Sequence, residues 1–182
     1  MATPPVFTSG AVLTAAQMNS VGLWLVGSTT ITSATTAVLD GCFSSDFRDY
    51  LLVVDATAGT ANTELVMQFR VGGVAAATNY VYSQFGTQPN GTAANGTSGG
   101  AASSVALTFI PATQPVSCNY FIGQPNLAIS TSFAGDWLYD DNTTQINRRT
   151  IGRHKTSTAY TGVQVFTGSA WTGKITVFGY RN

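Results

Sequence analysis

Charge is what this chain has least of. Only 9% of its 182 residues are Asp, Glu, Lys or Arg, with eight of each sign, so the formal net charge is zero. Soluble domains ordinarily carry about 25% charged residues, and the surface here must be built from Thr, Ser, Asn, Gln and Gly instead. The scarcity of Glu and Lys excludes a coiled coil. Disorder goes with low hydrophobicity and high net charge, and a neutral chain that is 44% hydrophobic has neither. So few cations make a poor match for a phosphate backbone, and no nucleic-acid partner is expected. No Lys or Arg precedes Arg48, which removes the basic start of a secretory signal. Long apolar runs are missing too. Val21 to Val26 is short and interrupted by glycine, where a membrane span takes about 20 apolar residues, so no membrane insertion is expected. Cysteine is nearly absent: Cys42 and Cys118 are too few and too far apart for a disulfide scaffold, and read as two buried free thiols.

What is present divides in two. Residues 1–27 start extended at Pro4 and Pro5. Thr14, followed three residues later by Gln17, fits a capping box and predicts a short helix through Met18, Val21, Trp24 and Leu25 that stops at Gly27. About three turns are marginal alone in water, so the segment needs a surface to lie on. That surface is either its own domain, as a strap, or another subunit, as a docking element. Residues 28–182 form the second part, a domain of roughly 150 residues, long enough to bury a core.

From Ser28 onward the pattern is β. Runs rich in Val, Ile, Phe, Tyr and Thr predict strands near Thr29–Ser33, Asp49–Ala56, Glu64–Val71, Tyr80–Phe85, Val105–Ile110, Asn119–Ile122, Ser132–Leu138, Arg149–His154, Thr161–Phe166 and Lys174–Tyr180. In the last, Ile175, Val177 and Gly179 share one face, and Lys174, Thr176, Phe178 and Tyr180 the other. Short strands separated by turn residues predict an all-β fold, an antiparallel β-sandwich of jelly-roll type preceded by the short helix. One segment breaks the rhythm. Gln88 to Ser103 is polar and small throughout, with Asn90-Gly91 and Asn95-Gly96 inside it. It reads as a long surface loop, with a protruding hairpin as the alternative.

Reaction chemistry is hard to find in these letters. The one histidine, His154, has no cysteine or carboxylate at ligand spacing and no G-x-S-x-G elbow to serve. With one glutamate, Glu64, no facing acid pair is selected for glycoside hydrolysis. No enzyme activity, cofactor or metal is expected. Asp136, Asp140, Asp141 and Asn142 supply oxygens of the kind calcium takes, without the spacing of an EF-hand, and are equally the letters of a turn. Arg148, Arg149, Arg153, His154 and Lys155 follow at once, with Arg149, Arg153 and Lys155 on one face of a strand. They suit an acidic ligand, or pairing with the preceding acids across a hairpin. The ligand site expected here combines Trp137 and Tyr139, as sugar-stacking rings, with Asp140 and Asp141 as hydroxyl acceptors and the 88–103 loop; taken singly, each ring is read first as filling the core. Trp171 is expected to open the last hairpin.

Two segments carry a resemblance. Phe7, Gly10, Leu13, Thr14, Ala15 and Asn19 form a Phe-x-x-Gly-x-x-Leu-Thr-Ala-x-x-x-Asn element, and Gly173, Ile175, Val177 and Gly179 a closing Gly-x-Ile-x-Val-x-Gly strand. In that order they resemble bacteriophage virion proteins of the tail-fibre and receptor-binding kind. The stretch from Phe47 through Gly73 is similar to the first long hairpin of their β-sandwich. The resemblance implies a non-enzymatic, often trimeric protein of the virion, made in the host cytoplasm. Phe7, Leu13, Met18, Val21 and Trp24 would attach it to other virion proteins, and a host surface glycan would be its receptor. A capsid or tail decoration protein is the alternative. The scant charge and the two-faced apolar strands point independently to a homo-oligomer.

Overall fold

Along Val116–Gly123 the side chains alternate: Val116, Cys118, Tyr120 and Ile122 are buried, while Ser117, Asn119 and Phe121 face solvent. A period of two is what a strand with one covered face produces. The same parity recurs at Tyr50, Leu52, Val54 and Ala56, all inward. The computed structural model describes residues 10, 22–59, 62–88, 93–112, 114–140 and 145–180. Eleven strands are seen there: β1 Leu23–Leu39, β2 Asp49–Gly59, β3 Thr63–Val71, β4 Val74–Ala75, β5 Tyr80–Thr87, β6 Ala93–Ala102, β7 Val105–Ile110, β8 Val116–Gly123, β9 Thr131–Asp140, β10 Gln145–His154 and β11 Gly162–Tyr180.

All pairings are antiparallel. The expectation of an all-β antiparallel fold holds, and the sheet curves as a half-barrel. Its main path runs β3-β11-β2-β8-β9-β10-β5-β6, with β1 along the other edge of β11 and β7 beside β3. The arm made by β3 and β7 lies over the inner face of β8. The Tyr120 hydroxyl on β8 reaches the carbonyls of Leu107 (2.9 Å) and Ala106 (3.2 Å) on β7. Between them sits an aromatic core centred on Phe69, whose ring stacks on Tyr160 at 5.1 Å and meets Tyr80 at 5.9 Å and Phe133 at 6.3 Å. The β3–β4 hairpin turns through Gly72 and Gly73, both at positive φ (56° and 78°), which side chains with a Cβ disfavour.

Three expectations need correction. At Trp24 and Leu25 the expected helix is replaced by strand: both residues lie in β1, which pairs with β11 on both sides of a register shift between Leu25 and Gly27. The run Thr29, Thr30, Ile31 favours extended backbone, and a ready partner edge extends it backward. Phe7, Leu13, Met18 and Val21 lie outside the described residues. Second, Thr161–Phe166 and Lys174–Tyr180 are one strand, β11, which exchanges β3 for β2 as its partner partway along. Trp171 therefore opens no hairpin and sits buried inside β11. Third, the polar stretch after Gln88 is no loop over 93–102. It is β6, the edge strand that pairs antiparallel with β5, in keeping with the hairpin alternative. Cys42 and Cys118 are free and buried as expected. Burial pushes the Cys42 thiol up to about 12 and raises that of Cys118 as well.

A cleft on the outer sheet face as the candidate functional site

The hairpin of β9 and β10 lays its side chains in register with β5. On the outer face, Phe85 of β5 stands beside Arg149 of β10, Arg149 beside Asp136 of β9, and Asp136 beside Asn119 of β8. One step along, Thr87 stands beside Asn147, and Asn147 beside Leu138. Strands are spaced about 4.8 Å apart, so Phe85 and Asp136 are separated by roughly 10 Å across Arg149. Phe85, Thr87, Asp136, Leu138, Asn147 and Arg149, with Ser117, line an open cleft of about 500 Å³. Phe85 is 51% exposed, which is unusual for a phenylalanine in a strand.

The floor comes from the inward parity. Trp137 is only 6% exposed, and its indole N–H points at the Thr150 hydroxyl at 3.4 Å. The Arg148 guanidinium lies over the Trp137 ring, 5.4 Å from its centre, with Nε buried and without a hydrogen-bond partner. Gly86 makes this approach feasible. A Cβ there would collide with the Asn147 carbonyl and stand 2.7 Å from the Arg148 Cγ. The outer charges are loosely held: Arg149 Nε and Asp136 are 3.9 Å apart, with side chains 53% and 66% exposed. Such a pair contributes about 0–1 kcal/mol to stability.

Of the four residues expected at the ligand site, Trp137 alone has a described side chain. Trp137 is in the cleft, but as a covered floor with no ring face to offer. Its neighbours Asp136 and Leu138 face out, so parity turns it in. The backbones of Tyr139 and Asp140 pair with Ile146 and Gln145. Their side chains, and Asp141 altogether, lie outside the described residues. Pairing of the basic run with the acids across the hairpin is realised by Arg149 and Asp136. Arg149, Ile151 and Arg153 share the exposed face as expected, and Lys155 follows the strand end. Trp24 is half-buried in β1, opposite Gly179. Sequence reasoning missed Phe85. The available signal was its parity, since Tyr80 and Gln84 point inward and Phe85 opposite to them. Among the described residues no cluster of three or more His, Cys, Asp or Glu is placed to hold a metal.

His154 lies elsewhere, in the core. Its Nε2 is 2.7 Å from the Thr78 carbonyl, which only accepts, so Nε2 carries the hydrogen. Nδ1 then accepts from the Tyr160 hydroxyl at 2.7 Å. Burial lowers its basicity from the ordinary value of 6.5, against the opposing pull of its backbone partners. The unfolded chain thus takes up a proton at a pH where the native protein does not. Stability contributed by the neutral ring is expected to be complete at about pH 7.5 and to fall as pH drops below about 6.5, levelling once the native imidazole also titrates. Urea midpoints for the native chain and His154→Gln across that range test this. The two curves should converge in acid, and a constant separation would contradict it.

No family model matches the chain. No curated protein matches it either. Two solved structures of infectious bursal disease virus, of the Gt and Gx strains, share 13% and 16% identity with it over 88% of this chain. Their TM-scores are 0.15 and 0.13, and the chain spans 42% and 37% of their lengths. Scores that low establish no shared fold.

Proposed function

We propose that the chain is a non-catalytic bacteriophage virion protein of the tail-fibre or receptor-binding kind. In this reading it is a jelly-roll sandwich that attaches the particle to host surface glycans. The observation that carries it is the outer-face cleft, where an exposed ring, Phe85, stands in one row with the Arg149–Asp136 pair. An aromatic face beside polar donors and acceptors matches a sugar, which has an apolar C–H face and a rim of hydroxyls. The resemblance of both chain ends to phage virion proteins supplies the setting and three-fold assembly. A trimer would multiply a weak single site by effective concentration. Purified protein applied to an array of bacterial surface polysaccharides should be retained on some of them. Phe85→Ala should lose about tenfold or more in retention, given about 1.5–3 kcal/mol for covering a phenylalanine side chain. Equal retention of the variant would refute the cleft as the site.

A second reading, a decoration or cement protein, has its own observation. Leu25, Phe178, Leu51 and Phe121 form one in-register row across four strands of the same outer face, next to Ala134 and Ile151. Phe121 also lies 5.9 Å from Tyr180. A solvent-facing apolar row of this length suits contact with another copy or another virion protein.

A further inference from the structure

Resting on the glycan reading, we infer that the cleft takes an uncharged sugar, which offers two neighbouring hydroxyls to Arg149 and Asp136 and a ring face to Phe85. The inference comes from where the charges are. Arginines at 148 and 149 suggest an acidic ligand when read from sequence, but Arg149 already faces an acid and Arg148 lies over an aromatic ring. Arg149 has the Asp136 carboxylate in register beside it at 3.9 Å. A ligand carboxylate approaching Arg149 meets Asp136 at nearly the same distance, and attraction and repulsion cancel. Arg148 is drawn down onto the Trp137 ring, and it also acts electrostatically on Glu64 of β3, whose carboxyl burial raises and Arg148 pulls back. At the third wall, Ser117 is hydrogen-bonded to Asp55 of β2 at 2.6 Å, bringing a further negative charge. Lys174 is the cross-strand neighbour of Asp55. Of the two β10 cations at the cleft, Arg149 has the Asp136 carboxylate of β9 beside it, and Arg148 is seated on the Trp137 ring.

The same arrangement favours hydroxyls. At 3.9 Å the Arg149–Asp136 pair is too long for a hydrogen bond between its own members, so both keep unused capacity. A diol donates one hydroxyl to the Asp136 carboxylate and accepts from Arg149 with the other. Both bonds are charge-assisted and no net charge is buried. Asn147 and Thr87, one row along, add a donor and acceptors for a second sugar unit. Phe85, adjacent to Arg149 on β5, completes the row as the stacking face.

Calorimetric titration of the full chain with matched oligosaccharides tests this. The probes are gluco-, manno- and galacto-oligosaccharides, each beside the corresponding uronic-acid oligomer. At least one neutral series should bind, with its uronate counterpart weaker by roughly tenfold or more. Asp136→Asn, an exposed change with no core contact, should weaken the neutral sugar and narrow the gap to the uronate. A uronate that binds as well as or better than its neutral partner would overturn the inference and leave the glycan reading standing. Binding of neither series, with the variants folded by circular dichroism, would end both.

Discussion

Phe69→Ala is expected to cost about 3–5 kcal/mol of folding free energy, the range for a large aromatic removed from a closed core. That is a large part of the whole stability of a domain this size. Phe69 has no solvent exposure. Its ring packs against three separate segments, with ring centres at 5.1 Å for Tyr160, 5.9 Å for Tyr80 and 6.4 Å for Phe43. Phe133 and His154 close the remaining side at 6.3 Å and 6.1 Å. The neighbours have little room to collapse inward, because Tyr80 is pinned by the Phe69 N–H to its hydroxyl at 2.7 Å and His154 by Thr78. Urea unfolding followed by tryptophan fluorescence measures the effect. A loss below about 1 kcal/mol would mean that the β3 arm is not seated on this core.

The second large effect is expected from one methyl group. In Gly135→Ala the new Cβ would run into the Asn119 carbonyl and lie 2.5 Å and 2.6 Å from the Tyr120 ring. Neither obstacle moves easily. Asn119 is in the β8 ladder, and Tyr120 is tethered through its hydroxyl to Leu107 and, at 3.0 Å, to Thr150. Overpacking of this kind costs about 1–3 kcal/mol, and here it pries apart the strands that form the cleft floor. Gly100→Ala is the matched control on edge strand β6. Nothing lies within 4 Å of its added Cβ, and its change should stay within about 0.5 kcal/mol. Thermal melts of the two variants compare them directly. Equal melting temperatures would contradict the close β8–β9 approach.

The contrast between β8 and β6 explains how much of the fold was legible. Strands with one covered face write that face into the sequence, as Val116, Cys118, Tyr120 and Ile122 do. Each of the ten predicted segments coincides with part of a strand. β6 has no such record: Ala93 to Ala102 is Ala, Asn, Gly, Thr and Ser, and its pairing to β5 is made through backbone groups. The start of β1 misled for a different reason. Trp24 and Leu25, spaced from Met18 and Val21, satisfy a helical period, and only the edge of β11 beside them decides for strand. The continuity of β11 was hidden by Gly168, Ser169 and Ala170, which read as a turn; they lie between Phe166 and Trp171, where the register against β1 shifts and β11 changes partner from β3 to β2.

Of the cleft, the pairing of the basic run with an acid across the hairpin was legible, and the exposed ring was not. Arg149 and Asp136 sit at positions a hairpin brings together, and they meet. Which ring is presented depends on parity counted from the core outward. Trp137 lies between two outward residues and turns in, whereas Phe85 lies beyond inward Gln84 and turns out. Register leaves Phe85 exposed and Trp137 covered.

The account turns on the outer-face cleft being where a saccharide binds. Backbone amide shifts of the isotope-labelled protein, followed while the best-retained oligosaccharide is added, test that most directly. The account predicts that the largest changes fall on Phe85, Thr87, Asp136, Asn147 and Arg149, with Leu25, Leu51 and Phe178 unmoved. Changes centred on that apolar row, with the cleft amides silent, would contradict it.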